Sequence, residues 1–423
     1  MTTARPDARS AALYERASKV LPGGVNSPVR AMRAIGRAPI FIDHAAGAEI
    51  VDVDGNSYID YVCSWGPLIA GHAHPSVVAA VCEAAARGTS YGAPTEAEIE
   101  LAEEIARRMP GIDEVRMTSS GTEAAMTALR LARAATGRDA VIKFAGHYHG
   151  HSDALLAQAG SGLLTQGIPA SPGVPHTVTA TTIVLPWNDP DALLAASSRD
   201  DIAAIIAEPC AANMGLVPAA PGFLELLRER ADASGALLIL DEVISGFRVG
   251  RAGAAPAVRA DLYVLGKILG GGLPAAAVGG RRELLRQLAP AGQVYQAGTL
   301  SGNPLAVAAG LATLALLDEA AYARLAASTT RLASGLREAA QGLPVSVVDV
   351  CGLATVFFTA QPPADLTAAQ AADTGAYGRF CRELLARGVY PPPSQFEAWF
   401  PSLAHSDAQI DATVEAAREA LRA

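Results

Sequence analysis

Short apolar runs alternate with amphipathic helical segments between residues 66 and 315, and this alternation constrains the fold more than any other feature of the chain. The runs are continuously apolar, which is typical of strands buried on both faces of a parallel sheet. We therefore predict an α/β fold with helices on both faces of a mostly parallel sheet. The predicted strands are 115–117, 140–144, 202–207, 236–240, 262–265 and 276–279, and the predicted helices are 96–108, 121–136 and 223–233.

The pattern changes on either side of this region. Residues 1–65 predict an N-terminal arm with a hairpin that turns at Asp54-Gly55-Asn56. The last hundred residues predict a long helix over 320–340, two strands, and a terminal helix. We expect an arm with short strands (1–65) that joins a small α+β domain (316–423), and a large α/β domain (66–315).

Composition narrows the classes of function. The net charge is −9 and no Lys/Arg cluster occurs, which argues against a nucleic-acid partner. An odd number of scattered cysteines predicts neither disulfides nor a zinc site: Cys63, Cys82, Cys210, Cys351 and Cys381. The polar N-terminus predicts no secretory signal, and no apolar run is long enough to predict a membrane span. A cytoplasmic protein without a bound metal is the expectation.

Lys267 is the only charged residue between Asp261 and Arg281, between an apolar strand and a Gly-rich turn. It either reaches solvent from the strand end or is desolvated, which lowers its pKa and makes it nucleophilic toward an aldehyde cofactor. Asp241 ends another predicted strand, where open α/β sheets bind ligands. It either caps a helix or pairs with a protonated pyridine nitrogen.

The segment Thr118-Ser-Ser-Gly-Thr-Glu-Ala-Ala125 follows a strand and opens a helix. Ser120 and Glu123 have the spacing of a capping box. The same geometry leaves the N–H groups of Gly121 and Thr122 free at a helix N-terminus, which is a phosphate-binding arrangement. The structural and functional interpretations are compatible here.

Two further motifs each allow two interpretations of their function. Three histidines alternate in Phe144-Ala-Gly-His-Tyr-His-Gly-His151, but no cysteine or acidic ligand pattern supports a metal site, so Tyr148 as an aromatic face for a planar cofactor is preferred. Arg30, in Asn26-Ser-Pro-Val-Arg30, either clamps a carboxylate or lies in an ordinary exposed turn.

Taken in order, these motifs resemble the class III aminotransferase group of fold-type I pyridoxal-phosphate enzymes. They are Ser120-Gly-Thr-Glu-Ala, Tyr148-His-Gly, Glu208-Pro, Asp241-Glu-Val-Ile-Ser-Gly-Phe-Arg, Lys267 and Gly298-Thr-Leu-Ser-Gly-Asn-Pro304. The resemblance implies a large domain with a mostly parallel sheet of the seven-stranded type. Within the group it points to an aminomutase branch through Pro22-Gly-Gly-Val-Asn-Ser-Pro-Val-Arg30, Ser64-Trp-Gly66, Gly92-Ala-Pro-Thr-Glu96, Val294-Tyr-Gln-Ala-Gly-Thr-Leu300 and Phe396-Glu397.

The resemblance implies roles for matching residues. Lys267 would form the imine with the cofactor and move protons, and Asp241 would pair with the ring nitrogen. Ser120, Gly121 and Thr122 would hold the phosphate, with Thr299 reaching in from the second subunit of a homodimer. Tyr148 would stack on the ring, and Asn213 would lie close to it. The implied substrate residues are Ser27, Arg30 on the carboxylate, Trp65, Ser161, and Glu397, which also has a catalytic role.

The branch converts glutamate 1-semialdehyde to 5-aminolevulinate through 4,5-diaminovalerate, with the cofactor passing between pyridoxal and pyridoxamine phosphate, and it feeds tetrapyrrole synthesis. The resemblance also implies a gating loop over 158–175 and glutamyl-tRNA reductase as a partner. Ser119 departs from the family pattern without affecting the backbone phosphate cup, whereas Gln395 and the proline run 391–393 depart from it near the implied pocket edge and leave substrate specificity open.

Three rivals stay open at this point. An ω-aminotransferase on another substrate is disfavoured by Ser27, Arg30 and Trp65. A binding module that has lost catalysis is disfavoured because Lys267 and Asp241 are both present. A nicotinamide dehydrogenase is suggested only by Gly270-Gly-Gly272, which lacks the Gly-x-Gly-x-x-Gly order.

Overall fold

The fold was determined as a computed structural model, which describes residues 5–157 and 171–423. Its strands are β1 Ile42–Ala46, β2 Glu49–Asp52, β3 Ser57–Asp60, β4 Glu114–Thr118, β5 Ala140–Phe144, β6 Thr182–Leu185, β7 Ile202–Ala207, β8 Cys210–Ala211, β9 Val217–Pro218, β10 Leu237–Asp241, β11 Leu262–Leu265, β12 Ala276–Gly280, β13 Ser346–Val350, β14 Leu353–Phe357 and β15 Val389–Tyr390.

The described helices are α1 Ala8–Ala17, α2 Pro75–Arg87, α3 Glu96–Arg108, α4 Gly121–Thr136, α5 His176–Thr179, α6 Pro190–Ser197, α7 Phe223–Ser234, α8 Arg282–Leu285, α9 Pro304–Ala315, α10 Glu319–Ala339, α11 Leu366–Ala371, α12 Thr374–Ala386 and α13 Asp407–Ala420. Every helix and strand predicted in the central region exists, with ends that shift by at most a few residues. The central helices α2, α5, α6, α8 and α9 and the central strands β6, β8 and β9 were not predicted.

A seven-stranded sheet in the order β4-β12-β11-β10-β7-β5-β6 forms the centre of the molecule. Strands β11, β10, β7, β5 and β6 run parallel, whereas β12 is antiparallel to both of its neighbours. All residues of β5, β7, β11 and β12 are buried. Successive side chains of β7 enter opposite layers: Ile205 joins one apolar cluster, and Ala204 and Ile206 join the other. This explains the continuously apolar sequence.

A second group of elements joins the two ends of the chain. Strands β1, β2 and β3 form an antiparallel meander, and β15 from the C-terminal region adds to it in parallel beside β3. The β13–β14 hairpin and helices α10, α12 and α13 contribute to a separate apolar cluster around Tyr61 and Trp399. The pairing of β15 with β3 is consistent with an N-terminal arm that joins the small domain. The exact domain boundaries stay a prediction.

One structural test bears on membranes. In the two described ranges, no single helix has both the length and the apolarity to cross a bilayer. Helices α9 and α10 meet those criteria only when taken together, and they are bent by 80° where they meet.

Candidate active site

A cavity of about 370 Å³ opens where β10 and β11 end and α4 begins. Chain segments that are distant in sequence meet there because the carboxyl ends of parallel strands lie at one edge of the sheet. Seven of the predicted site residues line this cavity together: Ser120, Gly121, Thr122, Tyr148, Asn213, Asp241 and Lys267.

Lys267 lies directly after β11 and has φ +49°, a left-handed conformation that is rare for a residue with a side chain. Its side chain is half-buried and lies beside the backbone of Gly66: a Cβ at Gly66 would be 3.3 Å from Lys267 Cδ. Burial lowers the pKa of Lys267, while the negative charges of Glu397, Asp241 and Glu208 raise it. A lysine in this environment has more of the neutral, nucleophilic amine than one in water.

Asp241 is buried at the end of β10. One carboxylate oxygen lies 2.7 Å from Nδ1 of His149, and the other accepts a hydrogen bond of 3.0 Å from the backbone N–H of Val243. Burial raises the pKa of Asp241 to about 7, and the Val243 N–H and the charge of Lys267 oppose this shift. No helix begins at Asp241, so the helix-cap interpretation is wrong. A cation placed against this carboxyl would be strongly favoured, because it would offset the cost of burying the charge.

Glu208 fixes two of the predicted cofactor residues at once. Its carboxylate accepts hydrogen bonds from the backbone N–H of Tyr148 (2.7 Å) and from the Asn213 side-chain amide (3.0 Å to each oxygen). A third donor is the backbone N–H of Ala212 at 3.0 Å. Burial raises the pKa of Glu208 to about 7, and the charge of Asp241 acts in the same direction.

The start of α4 has the predicted capping box. Ser120 Oγ accepts from the backbone N–H of Glu123 at 3.3 Å, and the Glu123 carboxylate accepts from the backbone N–H of Ser120 at 3.0 Å. Within the described part of the chain, the N–H groups of Gly121 and Thr122 donate to no protein acceptor. A side chain on Gly121 would come within 3.1 Å of Val243 Cγ2, so the absence of one keeps the cup open. These features fit a phosphate group.

The three alternating histidines do not converge. His147 and His149 are buried, and burial lowers the pKa of each well below its usual range, whereas His151 is exposed. His147 Nδ1 accepts from the backbone N–H of Glu208 at 3.0 Å, and His149 contacts Asp241. Among the residues that the structure describes, no group of three or more His, Cys, Asp or Glu side chains could hold a metal ion.

Other predicted residues lie outside the cavity. Ser27 is half-buried and borders a separate hollow of about 450 Å³, and Arg30 next to it is exposed. Thr299 is exposed as well. Trp65 is half-buried and precedes Gly66, which contacts Lys267. Ser161 and most of the predicted gating loop lie outside the described residues.

Glu397 is buried and close enough to Lys267 and Tyr148 for its charge to raise the pKa of both. The sequence did not predict three contacts of this site. His149 contacts Asp241, Glu208 accepts hydrogen bonds from Tyr148 and Asn213, and the backbone N–H of Val243 donates to Asp241. The Glu208-Pro motif was noted, yet nothing in the sequence shows which donors the carboxylate meets.

The fold and this site agree with a known family. The profile of the Aminotransferase class-III family matches residues 32–421, and the chain belongs to that family. It is 56% identical over 423 residues to glutamate-1-semialdehyde 2,1-aminomutase of Desulfitobacterium hafniense strain Y51, with 98% of both chains covered. It is also 56% identical over 419 residues to the protein of that name from Syntrophobacter fumaroxidans, with 97% of both covered.

Solved structures place the fold in the same family. An omega-transaminase from Sphaerobacter thermophilus has a TM-score of 0.91 and 35% identity, covering 99% of this chain and 98% of its own. A glutamate-1-semialdehyde-aminomutase from Pseudomonas aeruginosa PAO1 has a TM-score of 0.86 and 30% identity, covering 98% and 94%. The prediction of a fold-type I transferase fold is confirmed.

Proposed function

We propose that this chain is a pyridoxal-phosphate-dependent aminomutase that converts glutamate 1-semialdehyde to 5-aminolevulinate and so feeds tetrapyrrole synthesis. The observation that carries the proposal is the meeting of seven predicted residues in one cavity of a chain that is 56% identical to curated aminomutases along nearly its whole length. The reaction is an isomerisation, since one amino group leaves and another is gained within the same five-carbon skeleton.

The residues present fit the cofactor. When bound, pyridoxal phosphate supplies an aldehyde that exchanges amines and a ring that accepts electrons. The N–H groups of Gly121 and Thr122, with Ser120, would hold its phosphate, and Asp241 would hold the proton on its ring nitrogen. Tyr148 and Asn213, both fixed by Glu208, would contact the ring.

Lys267 is the group proposed to move protons. Its lowered pKa favours a neutral amine that can accept a proton at Nζ, and the nearby carboxylates of Asp241 and Glu397 stabilise the charged form once the proton has arrived. Glu397 is proposed to hold the substrate-side amine as an ammonium group, since a buried carboxylate favours a cation beside it.

The substrate carboxylate is assigned to Arg30, with Ser27, Trp65 and Ser161 forming the rest of the substrate site. Arg30 suits this role because a guanidinium binds a carboxylate through two parallel hydrogen bonds. The N-terminal segment that carries Arg30 also borders the 450 Å³ hollow around Ser27, which leaves space for chain movement beside it.

The active form is proposed to be a homodimer in which Thr299 completes the phosphate site of the second subunit. Thr299 is exposed in one chain and lies among exposed apolar side chains: Tyr295 is 73% and Leu300 is 53% exposed. Exposed apolar clusters of this kind mark interfaces.

We further propose a cytoplasmic location, domains divided near residues 65 and 315, and glutamyl-tRNA reductase as a partner. No nucleic acid or membrane partner is proposed.

An ω-aminotransferase on another substrate is the second candidate, and the omega-transaminase of Sphaerobacter thermophilus favours it with its TM-score of 0.91. Its 35% identity is far below the 56% shared with the aminomutases. The two candidates differ in what they need. An aminotransferase must receive a second amino or keto substrate, whereas a mutase turns over with one.

The test is turnover on glutamate 1-semialdehyde alone, with the purified holoenzyme and no added amino donor or acceptor. Sustained formation of 5-aminolevulinate over many enzyme equivalents is expected, with the visible absorption of the cofactor recorded before and after. Turnover that stops after one equivalent would support the aminotransferase if it resumes on adding an amino donor to enzyme that began in the pyridoxamine form, or a keto acid to enzyme that began in the pyridoxal form. A protein that takes up no cofactor would contradict both.

A further inference from the structure

Arg248 is a buried cation whose charge is met by carbonyl groups. Its guanidinium donates to the backbone carbonyls of Gly352 (3.1 Å) and Pro401 (3.0 Å) through Nη1 and of Gly66 (2.5 Å) through Nη2. It also lies 5.2 Å from the ring centroid of Phe400. No carboxylate forms an ion pair with it in the described ranges, although the side chain is 0% exposed. Burying a cation in this way is costly, so the arrangement calls for an explanation.

The three carbonyls belong to segments far apart in sequence. Gly66 ends the turn after β3, Gly352 is the turn between β13 and β14, and Pro401 precedes α13. Arg248 itself follows Asp241 by seven positions. One planar group therefore joins the N-terminal segment and the C-terminal region to the loop that leaves the cofactor pocket.

The backbone of the turn that ends at Gly66 is strained. Cys63, Ser64, Trp65 and Gly66 have successive φ values of 44°, 56°, 69° and 113°. Left-handed residues other than glycine cost on the order of 1–3 kcal/mol each and persist only where neighbours hold them. Asp60 holds the beginning of the turn through the N–H groups of Val62 and Cys63, and Arg248 holds its end.

The strained turn contacts the reactive lysine. A Cβ at Gly66 would be 3.3 Å from Lys267 Cδ and 3.0 Å from Phe400 Cε1, so both side chains lie against the position that a side chain on residue 66 would occupy. Burial lowers the pKa of Arg248 to about 10, which keeps it charged at neutral pH. Its positive charge acts with burial in lowering the pKa of Lys267.

We propose that Arg248 is a positioning residue: by holding the Gly66 carbonyl against the C-terminal segments, it fixes the wall along which the Lys267 side chain lies. The proposal rests on the proposed function, because Lys267 must be the residue that carries the cofactor. It assigns no contact between Arg248 and substrate.

The test compares Arg248→Lys with Arg108→Lys in the holoenzyme. Arg108 serves as a control, since it is buried and donates to the carbonyls of Leu314 (2.7 Å) and Leu317 (3.0 Å), and none of these three residues lines the cavity. Unlike Arg248, it also pairs with a carboxylate, that of Glu104. Lysine keeps the charge in both variants but replaces the planar guanidinium, with its two separate Nη groups, by a single ammonium nitrogen. Thermal unfolding, kcat, KM and the visible circular dichroism of the bound cofactor are measured for each.

We expect both variants to lose similar thermal stability, while only Arg248→Lys shows weakened circular dichroism of the cofactor. Its kcat should fall about 10- to 100-fold, which is the loss typical of a small misplacement of a reacting group, with a much smaller change in KM. A wild-type kcat and cofactor signal in Arg248→Lys would overturn the proposal. Equal losses in kcat for both variants would overturn it as well, since they would reflect general destabilisation.

A second variant alters the contact between Gly66 and Lys267 at Gly66 itself. Gly66→Ala places a methyl group against Phe400 and Lys267 and leaves Arg248 intact. We expect it to reproduce the loss in kcat and in the cofactor signal, and it decides the matter if Arg248→Lys does not fold. Wild-type behaviour of Gly66→Ala would then overturn the proposal. A wild-type protein that binds no pyridoxal phosphate would instead contradict the proposed function itself.

Discussion

The cofactor half and the substrate half of the proposed site are built in different ways. The cofactor half lies at strand ends, in the loops that follow them and at the first turn of α4, and its seven predicted residues share one cavity within a single chain. The substrate half depends on Ser27 and Arg30, which lie on a peripheral segment outside that cavity. The strand ends and α4 thus bring the proposed cofactor residues together, whereas Ser27 and Arg30 lie on a segment outside the sheet.

The largest expected effect concerns Lys267 in the cofactor half. The chain contains only three lysines, Lys19, Lys143 and Lys267, so any amine that holds the cofactor must be one of them. Lys267→Ala should lower turnover at least about 1,000-fold, because it removes both the nucleophile and the proton carrier. Activity assays check this, with exposed Lys19→Ala as the control.

Chemical labelling sharpens the same prediction. Borohydride reduction of the holoenzyme followed by peptide mapping should place the cofactor on Lys267 alone. Lys143 is the rival amine, since burial lowers its pKa to about 7. Its Nζ already donates to the carbonyls of Leu155 (3.0 Å) and Ala157 (2.9 Å), and a label found there would refute the assignment.

Glu242, which is buried next to Asp241 in the chain, should give the stability of the protein its own pH dependence. Burial raises the pKa of Glu242 to about 7, so between its ordinary value and pH 7 the folded state keeps a proton that the unfolded chain has released. That stabilisation is present at low pH and is lost as the pH rises through 7. The apoprotein should therefore lose up to about 3 kcal/mol of stability through Glu242 as the pH rises from 5 to 8.

Urea unfolding at both pH values measures this contribution. In Glu242→Gln the fall in stability between pH 5 and pH 8 should be smaller than in wild type, whereas exposed Glu83→Gln should leave it unchanged. Identical falls in wild type and Glu242→Gln would show that Glu242 is ionised at both pH values.

On the substrate half, Arg30→Ala should raise KM about 10- to 100-fold with a smaller change in kcat, because a charge-assisted hydrogen bond is worth roughly 1.5–3 kcal/mol. Steady-state kinetics on the semialdehyde provide the measurement. Arg33→Ala is a matched control, since Arg33 is exposed and borders the same hollow as Ser27. Equal changes in KM for both variants would show that Arg30 is an ordinary surface arginine.

The smallest expected effect tests whether a second chain completes the site. Thr299→Ala should weaken cofactor binding about 5- to 10-fold, which corresponds to the roughly 1–1.4 kcal/mol that one ordinary hydrogen bond contributes. Mixing Thr299→Ala chains with Lys267→Ala chains should then restore one intact site in each mixed dimer. Activity that stays at the sum of the two separate variants would place Thr299 outside the partner's site.

Much of the sheet and of the cofactor half could be predicted because both depend on local patterns. Continuous apolar runs mark buried strands, and Ser120 to Glu123 mark a helix start wherever the chain goes. The reversed direction of β12 could not be predicted, since an apolar run has the same composition in both directions. The contact between His149 and Asp241, 92 positions apart, and the three carbonyls around Arg248 depend on tertiary packing alone.

The strand order also determines when, during synthesis, β4 can pair with its partner strand. Strand β4, which leads into the phosphate cup, pairs with β12 in the described sheet, and Thr118 meets Ala276, 158 positions further along. At about 5–20 residues per second, a ribosome takes roughly 10–30 s to supply that partner after β4 has been made. A nascent chain therefore has its cup sequence long before it has the strand that steadies it, and it can capture its cofactor only late in translation.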